Sequence, residues 1–401
     1  MNKIAYITAK TPFGLQEAFI LTEMLALRSC GADILIIPRD NPKKLLSHNK
    51  AKELIPFAMT FPLINLAIAG TFIKYMTSNP LLLMKLIYRI AFRTRAVTIA
   101  LKNLAVFPKS LYLAQTDLLK DVSHIHAHWA STTATMAYII SHLTGIPWSF
   151  TAHRWDIGED NILEEKCRSA SFVRAISERG RKEILDTIRD KTLAGKVSVL
   201  HMGVDMPDLN EKRLAFDKTF TFLCPANLYS VKGHKYLLAA CSILRGSGLS
   251  FRCFIAGDGY LEEELKAVVK KLHLEDVTKF TGRLSHEELF AMYDSGIVDA
   301  VVLPSIVTAD GEQEGIPVVL MEAMSYGIPV ISTNTGGIPE LLSDGSGIMV
   351  PEKDPYAIAC ALVRLYEDAA YRISVAKRGR AKVLAGYSAL HVADELYGMF
   401  A

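Results

Sequence analysis

Short apolar runs alternate with segments of helical period along the first half of the chain. The runs KIAYIT (3–8) and ADILIIP (32–38) have the length and the β-branched content of strands, and a helical pattern covers residues 16–29 between them. The same criteria predict four more strands: HIHAHWA (124–130), WSFTAH (148–153), FVRAIS (172–177) and KVSVLHMGVD (196–205). Because helical segments separate the strands, we expect a parallel sheet that is covered on both faces.

The alternation starts again at residue 220, after a polar stretch. Five strands are predicted there: FTFLCPA (220–226), FRCFIAG (251–257), VTKFTG (277–282), DAVVLPS (299–305) and IPVISTN (328–334). The expected fold class is therefore α/β, with two Rossmann-like parallel-sheet domains and a ligand-binding cleft between them. The expected divisions are a first domain at 1–206 with an apolar, basic insertion at 54–116, a linker at 207–217, a second domain at 218–385 and a final helix at 386–401.

Composition and charge narrow the class of protein. The chain has 401 residues, half of them apolar and 22% charged, which suits two globular domains. A net charge of +3 is too small to indicate a nucleic-acid partner. The six cysteines have no paired spacing, which favours free thiols in a reducing compartment, and the N-terminus has no signal-peptide pattern. We therefore expect a cytoplasmic protein.

The strongest chemical signal is a pair of carboxylates, Glu314 and Glu322, eight residues apart. Between them Gly315 frees the backbone, and Pro317 suits the first turn of a helix that VVLMEAM continues. A helix start offers unpaired N–H groups to an anion, whereas carboxylates accept hydrogen bonds from vicinal hydroxyls. The combination points to a ligand with both phosphate and sugar, such as a nucleotide-sugar. The alternative is a buried helix with capping carboxylates.

This segment resembles the sugar-donor site of retaining glycosyltransferases of the GT-B fold, family four, the glycogen-synthase-like group. The family motif is Glu, seven residues, Glu, and then a small-residue segment that ends Gly-Gly-x-x-Glu. Thr335, Gly336, Gly337 and Glu340 match that second part. The resemblance implies a two-domain GT-B fold whose last helix crosses back onto the first domain.

A second matching segment is NLYSVKGHKYLL (227–238), in which Lys232 and Gly233 match family residues that hold the donor diphosphate. Asn227 stands where the family has arginine, so it brings no charge. The sugar-donor residues that the resemblance implies are Gly14, Asn227, Lys232, Gly233, Gly257, Gly282, Arg283, Leu284, Glu314, Gly315, Ile316, Pro317, Val318, Val319 and Glu322. The alternatives are a solvated lysine at a helix start for Lys232 and a plain turn for Gly14.

The first domain supplies the expected acceptor side. Three histidines alternate in HIHAHWA and could bind zinc, but no fourth ligand is apparent. We expect His128 and His126 to line the acceptor side instead. His153 matches the family histidine beside the transferred sugar, and Asp156 is expected to help place the acceptor. A core or capping role is the alternative for His153 and Asp156.

The insertion has no acidic residue between Glu53 and Asp117. Its basic residues lie among apolar runs: Lys74, Lys85, Arg89, Arg93, Arg95, Lys102 and Lys109. A basic amphipathic surface of this kind favours peripheral contact with an anionic membrane. The alternative is a set of helices that pack on the first domain's core with a solvated basic side.

The resemblance implies a retaining transfer of sugar from a nucleoside-diphosphate sugar to a saccharide or lipid-linked acceptor, in cell-surface polysaccharide or glycolipid assembly. His153, Lys232 and Glu314 are the expected catalytic residues. No cofactor and no metal is expected, because a lysine and a helix terminus neutralise the leaving group. The main alternative is a catalytically weak family member that acts as a membrane-associated partner in an assembly complex. A sugar epimerase is a third reading, and a dinucleotide enzyme is disfavoured because GDGYLE (257–262) lacks the third glycine.

Overall fold

The computed structural model describes residues 3–14, 17–41, 49–208 and 219–400. Contacts divide the chain into two units, Met1–Gly203 with Ala389–Ala401, and Val204–Ser388. The division thus falls three residues before the expected end of the first domain, and the final crossing falls at 388–389 rather than 385–386. Most of the expected linker, residues 209–217, lies outside the described residues.

The first unit is built on a six-stranded parallel sheet in the order β2-β1-β3-β4-β5-β6. Its strands are β1 (Lys3–Thr8), β2 (Asp33–Pro38), β3 (Val122–His128), β4 (Trp148–Ala152), β5 (Val173–Ala175) and β6 (Val197–Val199). Its helices up to residue 203 are α1 (Ala18–Ser29), α2 (Asn49–Leu54), α3 (Leu66–Ser78), α4 (Pro80–Phe92), α5 (Val97–Ala114), α6 (Thr132–Thr144), α7 (Arg154–Glu159), α8 (Leu163–Ser169) and α9 (Glu178–Thr187).

The second unit has its own six-stranded parallel sheet, in the order β12-β11-β10-β7-β8-β9. Its strands are β7 (Phe220–Pro225), β8 (Phe251–Ala256), β9 (Thr278–Gly282), β10 (Ala300–Leu303), β11 (Val330–Thr333) and β12 (Ile348–Val350). Its helices are α10 (His234–Gly246), α11 (Glu262–Lys271), α12 (His286–Asp294), α13 (Val318–Ser325), α14 (Ile338–Leu342), α15 (Pro355–Glu367) and α16 (Ala369–Gly386). The last helix, α17 (Ala389–Met399), belongs to the first unit.

Side chains alternate along β1 and supply two cores, one on each face of the first sheet. Ala5 and Ile7 join the core beneath α5 and α6, whereas Ile4 and Tyr6 join the core beneath α1. The helix α17 packs against α1 and adds Leu396 to this second core. The end of the chain therefore completes the unit in which the chain begins.

The chain leaves the first unit after Gly203 and returns to it at Ala389, and these two residues touch each other. A Cβ atom on Gly203 would lie 2.6 Å from the Cα atom of Ala389, which is closer than real Cβ atoms approach a backbone. Glycine at position 203 is what allows this contact.

The expected insertion folds into α3, α4 and α5, and α3 and α4 both pack on α5. Their inner sides are buried, with Tyr75, Leu86 and Ile90 in the core of the first unit. No helix in the described part of the chain is long and apolar enough to cross a membrane.

Candidate functional site

Lys232 ends a short 3-10 turn after β7, and its ammonium forms an ion pair with Glu314. Both side chains are largely buried, with 20% and 12% of their surfaces exposed. The turn is possible because Gly233 has φ +68° and a Cβ atom there would lie 1.9 Å from the carbonyl oxygen of Pro304. Lys232 is therefore a half-buried, paired cation and not a solvated lysine at a helix start.

The second half of the family motif holds the backbone of the first half. Gly336 has φ +60°, and a Cβ atom there would lie 2.0 Å from the carbonyl oxygen of Glu314. The N–H of Gly337 donates to the carbonyl oxygen of Gly315 at 3.2 Å. The Ser305 hydroxyl lies 3.4 Å from Oε1 of Glu314. Gly336 and Gly337 thus fix the position of the Glu314 backbone. This explains why the motif needs both parts.

The helix α13 begins at Val318, and Pro317 is its N-cap instead of a first-turn residue as expected. The difference of one residue arises because Pro317 has extended backbone, with ψ 118°. No described side chain caps this helix start. The segment Gly315, Ile316, Val318 and Val319 is half-buried, so the first amides of α13 are placed to receive an anion.

Glu322 lies on the second turn of α13 and is buried. Its Oε1 atom is 3.6 Å from Nδ1 of His286, the first residue of α12. The sequence reasoning missed His286. The available signal was the capping box of Ser285 and Glu288, which places His286 on the first turn of a helix.

Two expected glycines shape the ends of neighbouring strands. A Cβ atom on Gly257 would lie 2.1 Å from the carbonyl oxygen of Ala226, so the chain after β8 lies directly against the chain after β7. The Gly257 N–H donates to the carbonyl oxygen of Gly282 at 2.9 Å. Asn227, which follows Ala226, is exposed at this place. The three strand ends are thereby brought together.

Arg283 and Leu284 follow Gly282, which has φ +71°. Arg283 is exposed and its Nη1 atom lies 3.9 Å from Oδ2 of Asp258, while Leu284 is half-buried. Their expected contact with a nucleobase stays a prediction.

In the first unit, Glu17 organises the loop that contains Gly14. One carboxylate oxygen of Glu17 accepts the N–H groups of Lys10 and Thr11, each at 2.8 Å. The other accepts Nε1–H of Trp129 at 2.6 Å. A Cβ atom on Gly14 would lie 2.7 Å from Cβ of Lys10, so the tight loop requires glycine there. Glu17 thus anchors the loop.

His126 does not line an accessible surface, contrary to expectation. It is fully buried, and its two ring nitrogens bond the hydroxyls of Ser149 at 2.8 Å and Thr151 at 2.9 Å. His124 bonds the same Ser149 hydroxyl. Within the described residues, no three His, Cys, Asp or Glu side chains are grouped to hold a metal ion. These two histidines therefore link β3 to β4 through buried side-chain hydrogen bonds.

His128 and Asp156 are also fully buried, so neither reaches an acceptor directly. Nε2 of His128 lies 2.8 Å from Nε2 of His153, which is itself 8% exposed. The carboxylate of Asp156 accepts the N–H groups of His153 and Ala130, each at 2.7 Å. Asp156 therefore has the capping role that was the alternative for it. His128 is a buried hydrogen-bond partner of the His153 ring.

Charges are buried beneath these histidines. Glu23 pairs with Arg174 at 2.5 Å and accepts a hydrogen bond from the Tyr6 hydroxyl. Burial alone would raise the pKa of Glu23, but Arg174 and Tyr6 outweigh it and lower that pKa. Burial holds the pKa values of His128 and His153 well below the usual range, so both rings are neutral near pH 7. The sequence reasoning missed Glu23 and Arg174, whose only signal was a charge inside an apolar helix and an apolar strand.

Comparisons with known proteins find one family and several relatives that the chain resembles. Residues 205–382 match the family model of glycosyl transferases group 1. The chain is 40% identical over 192 residues to the amylovoran biosynthesis glycosyltransferase AmsK of Erwinia amylovora, and 40% over 191 residues to the putative colanic acid biosynthesis glycosyltransferase WcaL of Escherichia coli. Each match covers 47% of both chains, so the chain spans about half the length of these curated relatives.

Solved structures extend the likeness over nearly the whole chain. Anabaena Alr3699/HepE in complex with UDP matches with a TM-score of 0.71 at 17% identity, covering 99% of both chains. Sucrose-phosphate synthase of Thermosynechococcus elongatus matches with a TM-score of 0.70 at 18% identity, covering 100% of this chain and 98% of that one. At these identities the likeness shows the fold, and the expected GT-B class is confirmed. Residues 205–382, which carry the paired motif of Glu314 and Glu322, are thus the part of this chain that is similar to the glycosyl transferases group 1.

Proposed function

We propose that this chain is a glycosyltransferase that moves a sugar, with retention of anomeric configuration, from a nucleoside-diphosphate sugar to a saccharide or lipid-linked acceptor. We further propose a role in cell-surface polysaccharide or glycolipid assembly, because the names of AmsK and WcaL refer to amylovoran and colanic acid biosynthesis. The observation that carries the proposal is the half-buried Lys232–Glu314 pair, held by Gly233 and Gly336.

Lys232 supplies the positive charge for the leaving diphosphate. An ammonium has three hydrogen-bond donors, so its bond to Glu314 leaves donors for phosphate oxygens. The first amides of α13 add a second fixed positive field, which needs no rearrangement as charge develops in the transition state. Because the chain provides both groups, we propose that the reaction needs no metal ion and no cofactor.

Glu314 and Glu322 recognise the two sugars of the donor substrate. Glu314 keeps lone pairs beyond its bond to Lys232 and would accept hydroxyls of the transferred sugar. Glu322, buried on α13, would accept the ribose hydroxyls. Carboxylates in these two positions repel free diphosphate, so they favour a ligand whose hydroxyls bond them.

The reaction breaks two bonds and forms two. The bond from the anomeric carbon to the diphosphate oxygen breaks, and a bond from that carbon to the acceptor oxygen forms on the same face. The acceptor O–H bond breaks, and its proton goes to the departing phosphate oxygen. His153 in the first unit is proposed to lie beside the transferred sugar, as in the family that the sequence resembles.

The outer side of α3 and α4 supports the proposed membrane contact. Large apolar side chains are exposed there: Leu66, Ile73, Met76, Leu81, Met84, Tyr88 and Phe92. Lys74 and Lys85 are exposed on the same two helices. A contiguous exposed apolar surface with lysines suits the interface of an anionic bilayer. We propose that it holds the protein at the cytoplasmic face of a membrane, near its acceptor.

Four of the basic residues expected on this surface are buried or paired with acidic residues in the structure. Lys109 is fully buried, and its ammonium donates to the carbonyl oxygens of Pro38, Arg39 and Phe61, so it was wrongly expected at the surface. Three other cations pair with acids from outside the insertion: Arg93 with Glu165, Arg95 with Asp160 and Lys102 with Glu159. The membrane proposal therefore rests on Lys74, Lys85 and the exposed apolar side chains.

Binding of nucleoside diphosphates tests the proposed activity. Thermal shifts should rise with one of UDP, GDP or ADP, and that shift should disappear in Lys232→Ala and shrink in Glu322→Gln. Lys235→Ala, a substitution of an exposed lysine on α10, is the matched control and should keep the full shift. Incubation with the matching nucleotide-sugar, EDTA and an acceptor oligosaccharide should still release nucleoside diphosphate, and NMR of the glycosylated oligosaccharide should show the donor's anomeric configuration.

Other outcomes separate the alternatives. Nucleotide binding without release of diphosphate from any sugar donor would favour the catalytically weak assembly partner. Conversion of the donor sugar without transfer would favour an epimerase.

Vesicle sedimentation tests the membrane contact. The protein should sediment with phosphatidylglycerol vesicles at low salt and less with phosphatidylcholine. Leu81→Gln combined with Met84→Gln should weaken this binding about tenfold or more, since each side chain adds apolar burial. The control is Leu384→Gln, because Leu384 is an exposed leucine of the second unit. Equal sedimentation of both variants would remove the proposed surface.

A further inference from the structure

Two tryptophans lie beside His153 in the first unit. Trp129 follows the last residue of β3, and Trp155 is the second residue of α7. Their ring centroids are 5.2 Å apart with planes inclined by 44°. The ring of Trp129 is also 4.2 Å from the ring of His153. The three rings form one continuous aromatic group at the carboxyl end of the first sheet.

Trp129 is held firmly in this position. Its Nε1–H donates to Oε1 of Glu17 at 2.6 Å, and Phe19 meets its ring edge-on at 5.9 Å. Its φ of +85° is unusual for a bulky residue and persists only where the surroundings enforce it. The ring is therefore oriented before any ligand arrives.

Trp155 is open to solvent, with 58% of its surface exposed. The chain has three tryptophans, and the remaining one, Trp148, is 1% exposed in the core. A large apolar ring that stays exposed beside a rigid one is not explained by packing of the first unit. Something outside the described residues is expected to cover it.

We propose that Trp129 and Trp155 form a stacking surface for a pyranose ring of the acceptor saccharide. An aromatic face carries partial negative charge, and one face of a pyranose presents C–H groups with partial positive charge. The hydroxyls at the rim of the sugar stay in water because Trp155 is open. This inference rests on the proposed glycosyl transfer and names the chemistry of its acceptor site.

The expected acceptor residues His126, His128 and Asp156 are buried, whereas Trp155 is exposed and Trp129, whose ring lies between Trp155 and His153, is half-buried. The nucleotide has its own candidate residues in the second unit. A lipid chain lacks the flat, rigid face that matches an indole ring. A saccharide is thus the occupant that the geometry favours.

Tryptophan fluorescence of the full chain tests the proposal. The probes are soluble oligosaccharides with glucose, galactose, mannose, fucose and N-acetylglucosamine units, added with and without the nucleoside diphosphate that binds. At least one probe should give a saturable change. Trp155→Ala should weaken its affinity about tenfold, and Trp155→Phe should weaken it less because a ring is kept. Tyr356→Ala removes an exposed aromatic ring of the second unit and should have no effect.

The outcomes distinguish this inference from the proposed function. If a nucleoside diphosphate binds but no oligosaccharide perturbs the fluorescence, the stacking surface is wrong and the transferase proposal stands. Equal affinities of the wild type and Trp155→Ala also overturn it, as does a response to dodecylphosphocholine alone. If saccharides bind as predicted but no nucleoside diphosphate does, the stacking surface stands as a saccharide site and the transferase proposal fails. Trp155→Ala must retain its nucleotide-induced thermal shift, which shows that the variant is folded.

Discussion

Nε2 of His128 and Nε2 of His153 lie 2.8 Å apart, so one imidazole donates a hydrogen bond to the other. The backbone N–H of Asp156 points at the His153 ring in a capping box, which assigns the His153 proton to Nε2. His128 then accepts at Nε2 and carries its own proton on Nδ1, 3.7 Å from Oε1 of Glu23. The capping box and the acceptor nitrogen of His128 therefore fix the tautomer of the candidate catalytic histidine.

Replacing His128 should show how much that hydrogen bond matters. His128→Phe leaves the buried N–H of His153 without an acceptor, and we expect a loss of about 1–3 kcal/mol in the free energy of unfolding. His128→Gln offers an amide oxygen and should lose less. Urea unfolding measures both values, and equal losses would contradict the assigned tautomer.

The buried pair of Glu23 and Arg174 should be costly to break. Glu23→Gln leaves the Arg174 guanidinium buried without a counter-charge, and we expect a loss of about 3–5 kcal/mol in the free energy of unfolding. The matched control is Glu183→Gln, which breaks the surface pair with Arg179 and should lose less than about 1 kcal/mol. Chemical unfolding of the two variants gives the comparison, and similar losses would refute the predicted contrast.

Acid should destabilise the fold through its buried histidines. Burial lowers the pKa of His124 to about 4, and burial together with Lys232 lowers that of His234 to about 4. Because the unfolded chain binds these protons more readily, stability is present above pH 6.5 and is lost as the pH falls to about 4. Each histidine should contribute a loss of about 3 kcal/mol over that range.

Unfolding at pH 7 and at pH 4.5 checks this prediction. His124→Gln should lose less stability than the wild type in the same pH step. His391→Gln, at an exposed histidine, should behave as the wild type does. An unchanged pH response of His124→Gln would show that His124 does not contribute.

Substitution of two glycines with positive φ distinguishes the effect of backbone strain from that of a steric clash. Gly336 has φ +60° and would place a Cβ atom 2.0 Å from the carbonyl oxygen of Glu314, whereas Gly311 has φ +83° and open space around it. Gly311→Ala should therefore lose only the backbone strain, about 1–2 kcal/mol. Gly336→Ala should lose more and should also weaken nucleotide binding, because Glu314 must move. Isothermal titration with the preferred nucleoside diphosphate measures the affinity, and equal affinities in the two variants would contradict the prediction.

Local sequence patterns were sufficient for the architecture of the sheets. The short β-branched runs predicted β1, β2 and β10, since strands that are buried on both faces are mostly apolar. Strand ends were predicted too late, at residues 130 and 153 instead of His128 and Ala152. Apolar residues continue past the last hydrogen bond between neighbouring strands, so the end of an apolar run does not mark the end of its strand.

Contacts between distant residues set the limit of the sequence reasoning. Glu165 neutralises Arg93 across 72 positions, and Glu23 meets Arg174 across 151 positions. Such partners come together only through the fold. The sequence therefore did not show that acidic residues from outside the insertion neutralise part of its positive charge. The neighbouring rings of Trp129 and Trp155 were missed for the same reason. The motif of Glu314 and Glu322, in contrast, is local, and its geometry follows from its own glycines.

The position of α17 has a consequence for how the protein is made. A ribosome delivers all of Val204–Ser388 before it delivers Ala389–Met399. Until then, Val392 and Leu396 are missing from the core around α1, and the nascent first unit exposes the apolar surface that they will cover. The domain that is synthesised first can thus complete its core only after the second domain has been synthesised.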